Sequence, residues 1–269
     1  ILGVTVNQVP AAAGAISGAV AVCPETNSAL YGVPTIANAE TYIWTLPEGT
    51  TGNSSTKSII VNYSASAVSG TITVKGHNSC DGPASTLDVI VHQPYQEEQV
   101  CIITIDEVTG KNMIVWEKTK DVNINSYNVY RESNIGGVYN LLTNVSVDSL
   151  SVYVDMGSEP ETKSQKDYIT AVDNCGNESA PSKWHRPMLL TSSVGTGEST
   201  VNLAWTEYRE ESGATGNLLF TSYIIYRSTS KTNLTPIDTI PSDNTLYPDN
   251  KAPRGVDLYY RIAGLKATP

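Results

Sequence analysis

The sequence predicts an all-β protein built from three consecutive β-sandwiches. Three observations predict it. Apolar residues alternate with period two, helical periodicity is almost absent, and a long segment of the second half of the chain occurs twice.

The alternation is clearest in Ser58-Ile59-Ile60-Val61-Asn62-Tyr63, Gly70-Thr71-Ile72-Thr73-Val74 and Leu87-Asp88-Val89-Ile90-Val91. Each places every second side chain on one face, as a half-buried strand requires. Turn-forming runs separate such segments: Pro47-Glu48-Gly49, Asp81-Gly82-Pro83, Thr109-Gly110-Lys111-Asn112 and Gly136-Gly137. The composition agrees. Fifteen Tyr stand against one Phe, and Tyr suits strands with one buried side and one wet end.

The long repeat sets the number of domains. Trp116 recurs as Trp205. Ser126-Tyr127-Asn128-Val129-Tyr130-Arg131 recurs as Ser222-Tyr223-Ile224-Ile225-Tyr226-Arg227. Asp155 recurs as Asp249, and Asp167-Tyr168-Ile169-Thr170-Ala171 as Tyr259-Tyr260-Arg261-Ile262-Ala263. Four matches in one order make two copies of one domain. A shorter match, Leu-x-Val-x-Val-x-Gln, links Leu2–Gln8 with Leu87–Gln93. The later copy reads as the last strand of the first sandwich, and the earlier one as the last strand of a preceding domain or a linker. The expected boundaries are therefore 1–8, 9–95, 96–191 and 192–269, the second sandwich closing with a strand near Trp184–Leu190 and the final sandwich lacking its last strand.

The 269 residues carry a net charge of −10 and no clustered Lys/Arg. That argues against nucleic acid as a partner and against anionic lipid. No apolar run reaches the length of a membrane helix, so no membrane insertion is expected. Four cysteines, Cys23, Cys80, Cys101 and Cys175, occur without a Cys-x-x-Cys spacing. An even number suggests disulfides, and three pairings are possible. Keeping each bond inside one sandwich selects Cys23–Cys80 and Cys101–Cys175, with four reduced thiols as the alternative.

Catalysis has little support. Of three histidines, none stands in a His-Glu-x-x-His pair, and no Gly-x-Ser-x-Gly elbow occurs. No cofactor or metal site is expected. The oxygen-rich runs Asp106-Glu107 and Asp173-Asn174 read as turn-forming rather than calcium-binding. Trp44, Trp116 and Trp205 read as core residues. Arg131 and Arg227 are expected to pair with Asp155 and Asp249. Candidate binding positions are Trp184, beside His185 and Arg186, and Arg209, Glu210 and Glu211, placed in a long loop at Tyr208–Asn217; the loop Arg131–Tyr139 is another.

Gly14–Gln93 resembles the PKD-like domains common in large surface proteins of Bacteroidota. The resemblance rests on Ala13–Gly18, Val22-Cys23, Tyr42-Ile43-Trp44-Thr45-Leu46-Pro47 and Asn78-Ser79-Cys80. Residues 97–269 resemble the tandem fibronectin type III domains that follow such modules, the run Tyr168–Ser179 fitting their penultimate strand and loop. The resemblance implies immunoglobulin-like/fibronectin type III-like sandwiches of seven strands each, and an extracellular or cell-surface location. It implies a non-catalytic adhesion or spacer module, with an unknown protein or glycan as ligand. A carbohydrate-binding accessory module of a polysaccharide-degrading enzyme is the second expectation. The third is a subunit that assembles head to tail by strand addition.

Overall fold

The computed structural model describes residues 8–92, 98–119, 123–197, 199–211 and 220–266. The chain divides into two compact units, Ile1–Pro94 and Tyr95–Pro269.

In the first unit the strands are β1 (Ala21–Val22), β2 (Ala29–Gly32), β3 (Thr41–Thr45), β4 (Thr50–Thr51), β5 (Ser58–Tyr63), β6 (Gly70–His77) and β7 (Ser85–Val91). They form two sheets, ordered β1-β7-β6-β3 and β2-β5-β4. The period-two pattern has its expected effect. Ile59, Val61 and Tyr63 are buried along β5 while Ile60 between them is exposed. Val89 and Val91 of β7 and Ile72 and Val74 of β6 face the same core. Two tyrosines bury their hydroxyls there. Tyr31 donates to the Ala19 carbonyl (3.1 Å), which leaves its oxygen to accept from Tyr63 at 2.7 Å. The Tyr31 ring lies so close to Gly18, at φ +154°, that a Cβ there would come within 2.2 Å of it. Trp44 is only half-buried, and its indole N–H donates to the Thr56 carbonyl (2.9 Å).

The second unit holds two sandwiches of matching design. One contains β8 (Val100–Ile105), β9 (Asn112–Trp116), β10 (Ile124–Glu132), β11 (Tyr139–Ser146), β12 (Val152–Asp155), β13 (Asp167–Asp173) and β14 (His185–Arg186). The other contains β15 (Leu190–Val194), β16 (Val201–Trp205), β17 (Arg209–Glu210), β18 (Phe220–Ser228), β19 (Thr235–Pro241), β20 (Leu246–Asp249) and β21 (Tyr259–Lys266). The sheet β12-β9-β8 corresponds to β20-β16-β15, and β11-β10-β13 to β19-β18-β21. The repeated tryptophans pack on the repeated tyrosines in the same way. Ring centroids are 5.5 Å apart for Trp116–Tyr127 and 5.4 Å for Trp205–Tyr223. Even the bulges repeat, between Val129 and Tyr130 in one copy and between Ile225 and Tyr226 in the other.

Among the described residues the protein is thus all-β, a series of β-sandwiches. Three expectations need correction. First, Cys80 and Cys101 are free, exposed thiols, whereas Cys23 and Cys175 are disulfide-bonded. The intradomain pairs Cys23–Cys80 and Cys101–Cys175 therefore do not form. Cys80 lies in a turn after β6 and Cys101 on β8, each with its side chain in solvent rather than turned to the core. Second, the strand expected around Trp184–Leu190 is split. Only His185–Arg186 pairs with the second sandwich, and Leu190 opens β15, opposite Trp205. Third, the Tyr208–Asn217 loop begins as a strand, β17; its remainder from residue 212 lies outside the described residues, as does the Leu2–Gln8 segment apart from Gln8.

Candidate functional site at the junction of two sandwiches

The short strand β14 joins the two halves of the second unit. It pairs with β13 through His185 and Asp167, and with β17 through His185–Glu210 and Arg186–Arg209. The sheet therefore runs β11-β10-β13-β14-β17, its last strand drawn from the third sandwich. The hydrophobic cores are continuous as well. Val100, Ile103, Trp116 and Tyr127 belong to the same cluster as Leu203, Trp205, Phe220 and Tyr223.

Strand pairing sets four ionisable side chains in one row: Arg131, Asp167, His185 and Glu210. Partners in register share a face of the sheet, and the alternation within β10 and β13 makes this the inner face. Arg131 forms an ion pair with Asp155, whose side chain is almost wholly buried. The second Asp155 oxygen accepts the Gly157 N–H at 3.0 Å. Asp167 is fully buried, and neither carboxylate oxygen has a hydrogen-bond partner among the described residues. Burial, with the Asp155 charge added to it, raises its pKa well above the usual carboxylate range, and Arg131 offsets only part of this.

Tyr208 closes the junction. Its hydroxyl accepts the Ile103 N–H at 2.8 Å and is hydrogen-bonded to His185 Nδ1, also at 2.8 Å. His185 Nε2 lies 3.8 Å from Glu210 Oε2. Burial, helped by Lys266 and Lys183, lowers the His185 pKa to about 4, so the ring is neutral at physiological pH. Rings continue the contact into the third sandwich. Tyr208 meets Phe220 edge-on at 5.6 Å, and Phe220 meets Tyr223 at 6.1 Å.

The two expected Arg–Asp pairs are present. Arg227 reaches Asp249 at 2.6 Å, as Arg131 reaches Asp155. The four candidate binding residues come together at the splice between the sandwiches. The main chains of Trp184 and Glu211 are joined by the Glu211 N–H donated to the Trp184 carbonyl (2.8 Å). Trp184 is half-buried, with Lys166 Nζ 4.4 Å from its ring centre. Arg209 contacts Glu207 at 3.2 Å, and Glu210 faces His185. In the Arg131–Tyr139 loop Ile135 and Val138 are exposed. Asp106 accepts hydrogen bonds from the Thr109 main chain (2.8 Å) and hydroxyl (2.5 Å), and Asp173 from the N–H groups of Cys175 and Asn177 (both 2.8 Å); both are turn-forming. Asp167, His185 and Tyr208 were not visible as a group in the sequence. The usable signal was the pairing of Asp167 with Arg131, which a repeat alignment by tyrosines displaces by one residue.

A pH test follows from Asp167. A carboxyl whose pKa is raised on folding favours the folded chain at acid pH. That contribution is lost as pH rises from the ordinary value of 3.8 through the folded value. Asp167→Asn is therefore expected to unfold at higher urea than the parent at pH 7, with the gain shrinking to nothing below about pH 4. A gain that did not change with pH would contradict this electrostatic origin.

Among the described residues no helix is long and apolar enough to cross a membrane, and no cluster of His, Cys, Asp and Glu has metal-binding geometry. The class defined by this geometry is a series of β-sandwiches, two of them joined in one body through a shared sheet. Residues 9–90 match the family model of the PKD-like domain. The chicken CNTN1 FN1-FN3 domains are similar at 10% identity, covering 96% of this chain and 94% of that one, with a TM-score of 0.37. A beta-1,2-glucanase from Parabacteroides distasonis is similar at 18% identity over 47% of this chain and 16% of that one, with a TM-score of 0.28. No curated protein matches.

Proposed function

We propose that this chain is a non-catalytic extracellular module, serving as a spacer or adhesion array within a bacterial surface or secreted protein. The observation that carries this reading is the β13–β14–β17 splice with its shared core. A hinge between beads would let an array fold back. A sheet and a core that continue across the junction hold two sandwiches as one stiff arm. The bonded cysteines and the PKD-like match favour a compartment outside the cytoplasm.

The experiment is hydrogen exchange of the full chain across a urea series. The second and third sandwiches are expected to open together, with the slowest amides of β9 and β16 sharing one opening free energy and one urea dependence. Separate opening of the two would remove the basis of the stiff-arm reading.

A glycan ligand is the second reading, and it rests on Tyr130, Tyr139 and Tyr168. Tyr130 and Tyr168 lie side by side across two strands of the outer sheet face, and Tyr139 lies against Tyr168. These rings lean on one another, with centroids 4.9 and 4.6 Å apart, which uses ring faces a sugar would need. The spacer reading is therefore preferred.

A further inference from the structure

We propose that the outer face of the β13–β14–β17 splice binds an acidic polysaccharide through a row of cations centred on Arg186. The sequence shows no run of Lys and Arg, and strand pairing builds the row from residues far apart in the chain. Side chains alternate between the two faces along each strand. Asp167, His185 and Glu210 take the inner face, so Lys166, Arg186 and Arg209 take the outer one. Arg186 and Arg209 are partners in register. Continuing the β13–β14 ladder by one residue sets Lys166 on the other side of Arg186. Three cations thus stand on adjacent strands, about 4.8 Å apart from strand to strand.

Like charges directly opposite one another destabilise a sheet. Here two guanidiniums are opposed, although the chain as a whole carries a net charge of −10. The outer two cations each have a carboxylate of their own. Glu132 is 3.7 Å from Lys166, and Glu207 is 3.2 Å from Arg209. Glu211 turns one oxygen to the Trp184 N–H, at 3.3 Å. Arg186 has no carboxylate partner among the described residues, and its Nε donates to Ser164 Oγ at 3.3 Å. It is also half-buried, which costs it part of its hydration. A cation between two cations, with no counter-charge of its own, is stabilised by an arriving anion, and the planar guanidinium fork matches a carboxylate.

The direction of the row selects the ligand. The row crosses the strands at their lateral spacing. An extended acidic peptide presents its same-side carboxylates about 6.8 Å apart, too far to match neighbouring strands. A linear polyuronate carries one carboxylate on every sugar, a repeat close to the strand spacing. Polar groups for sugar hydroxyls border the row. The Tyr139 and Tyr168 hydroxyls and the Trp184 indole N–H have no hydrogen-bond partner among the described residues. The Lys166 ammonium lies over the Trp184 ring, so charge and hydroxyl contacts hold the sugar, and ring stacking does not.

The proposal names a ligand for the adhesion reading above and does not need the stiff arm, which hydrogen exchange tests by itself. Titration calorimetry of the full chain with a hexamer of galacturonic acid is expected to show binding that weakens as salt is raised. Arg186→Ala and Arg209→Ala are each expected to weaken it about tenfold. Arg186→Lys, which keeps the charge and loses the fork, is expected to recover only part of the loss. Arg209 is 64% exposed, so its variant tests the site even if Arg186→Ala fails to fold. Lys57→Ala, which removes an exposed charge from the first unit, is expected to bind as the parent does. Absence of binding, equal binding of a neutral glucose hexamer or of a hexaglutamate peptide, or full binding by Arg209→Ala would overturn the proposal and leave the spacer reading standing.

Discussion

Arg131→Ala is expected to destabilise the second unit by about 3–5 kcal/mol, more than the equivalent change Arg227→Ala. Both arginines neutralise a buried aspartate, and both Asp155 and Asp249 have side chains only 3% exposed. What remains after each deletion differs. Asp249 still accepts the Tyr260 hydroxyl at 2.8 Å and the Lys251 N–H at 3.1 Å. Asp155 retains the Gly157 N–H, and Asp167, a second buried carboxyl, stands nearby with no hydrogen-bond partner among the described residues. Removing Arg131 thus strands one charge and withdraws the one cation that offsets the other. Arg227→Ala leaves a carboxylate with two donors, and a loss of about 1–3 kcal/mol is expected. Urea unfolding of both variants decides the matter. Equal losses would mean that Asp167 does not feel Arg131.

Tyr208→Ala is the second large effect, with an expected loss of about 3–5 kcal/mol for deletion of a buried aromatic side chain. The ring touches His185 on one side and Phe220 on the other. Its loss should also separate the opening of the third sandwich from that of the second in hydrogen exchange. Tyr208→Phe keeps the ring and removes only the hydroxyl. The Ile103 N–H and His185 Nδ1 then lose their partner, at a cost of about 1–3 kcal/mol. If the phenylalanine variant matched the alanine one, ring packing would not be what joins the sandwiches.

Both effects arise from residues that the sequence presents very differently. Arg131 and Asp155 are legible because their counterparts Arg227 and Asp249 occur in the same order. Tyr208 and His185 have no repeat counterpart, since they belong to the seam between copies. A seam is made by residues far apart in the chain: Ile103 and Tyr208 are 105 positions apart when their hydrogen bond forms. Period-two patterning cannot specify such a contact, because it fixes which face a side chain takes and not which element covers that face.

The one-residue offset at β13 and β21 has the same origin. Matching tyrosines aligns Tyr168 with Tyr260. The register instead sets Asp167 opposite Arg131 and Tyr260 opposite Arg227. Shifting a strand by one residue exchanges its faces, so Tyr168 lies on the outer face while Tyr260 points inward to Asp249.

Sequence alone determined the all-β class, the strands at Ser58–Tyr63 and Gly70–Val74, the repeated Trp–Tyr core and the two Arg–Asp pairs. Each follows from local alternation or from duplication, and both are written in residue order. Tertiary structure alone decided the state of the cysteines, the conversion of Arg209–Glu210 from loop to strand, and the buried row Arg131–Asp167–His185–Glu210. Those depend on which edges and faces meet across long stretches of chain. Burial and hydrogen bonding select them only after the sheets have assembled.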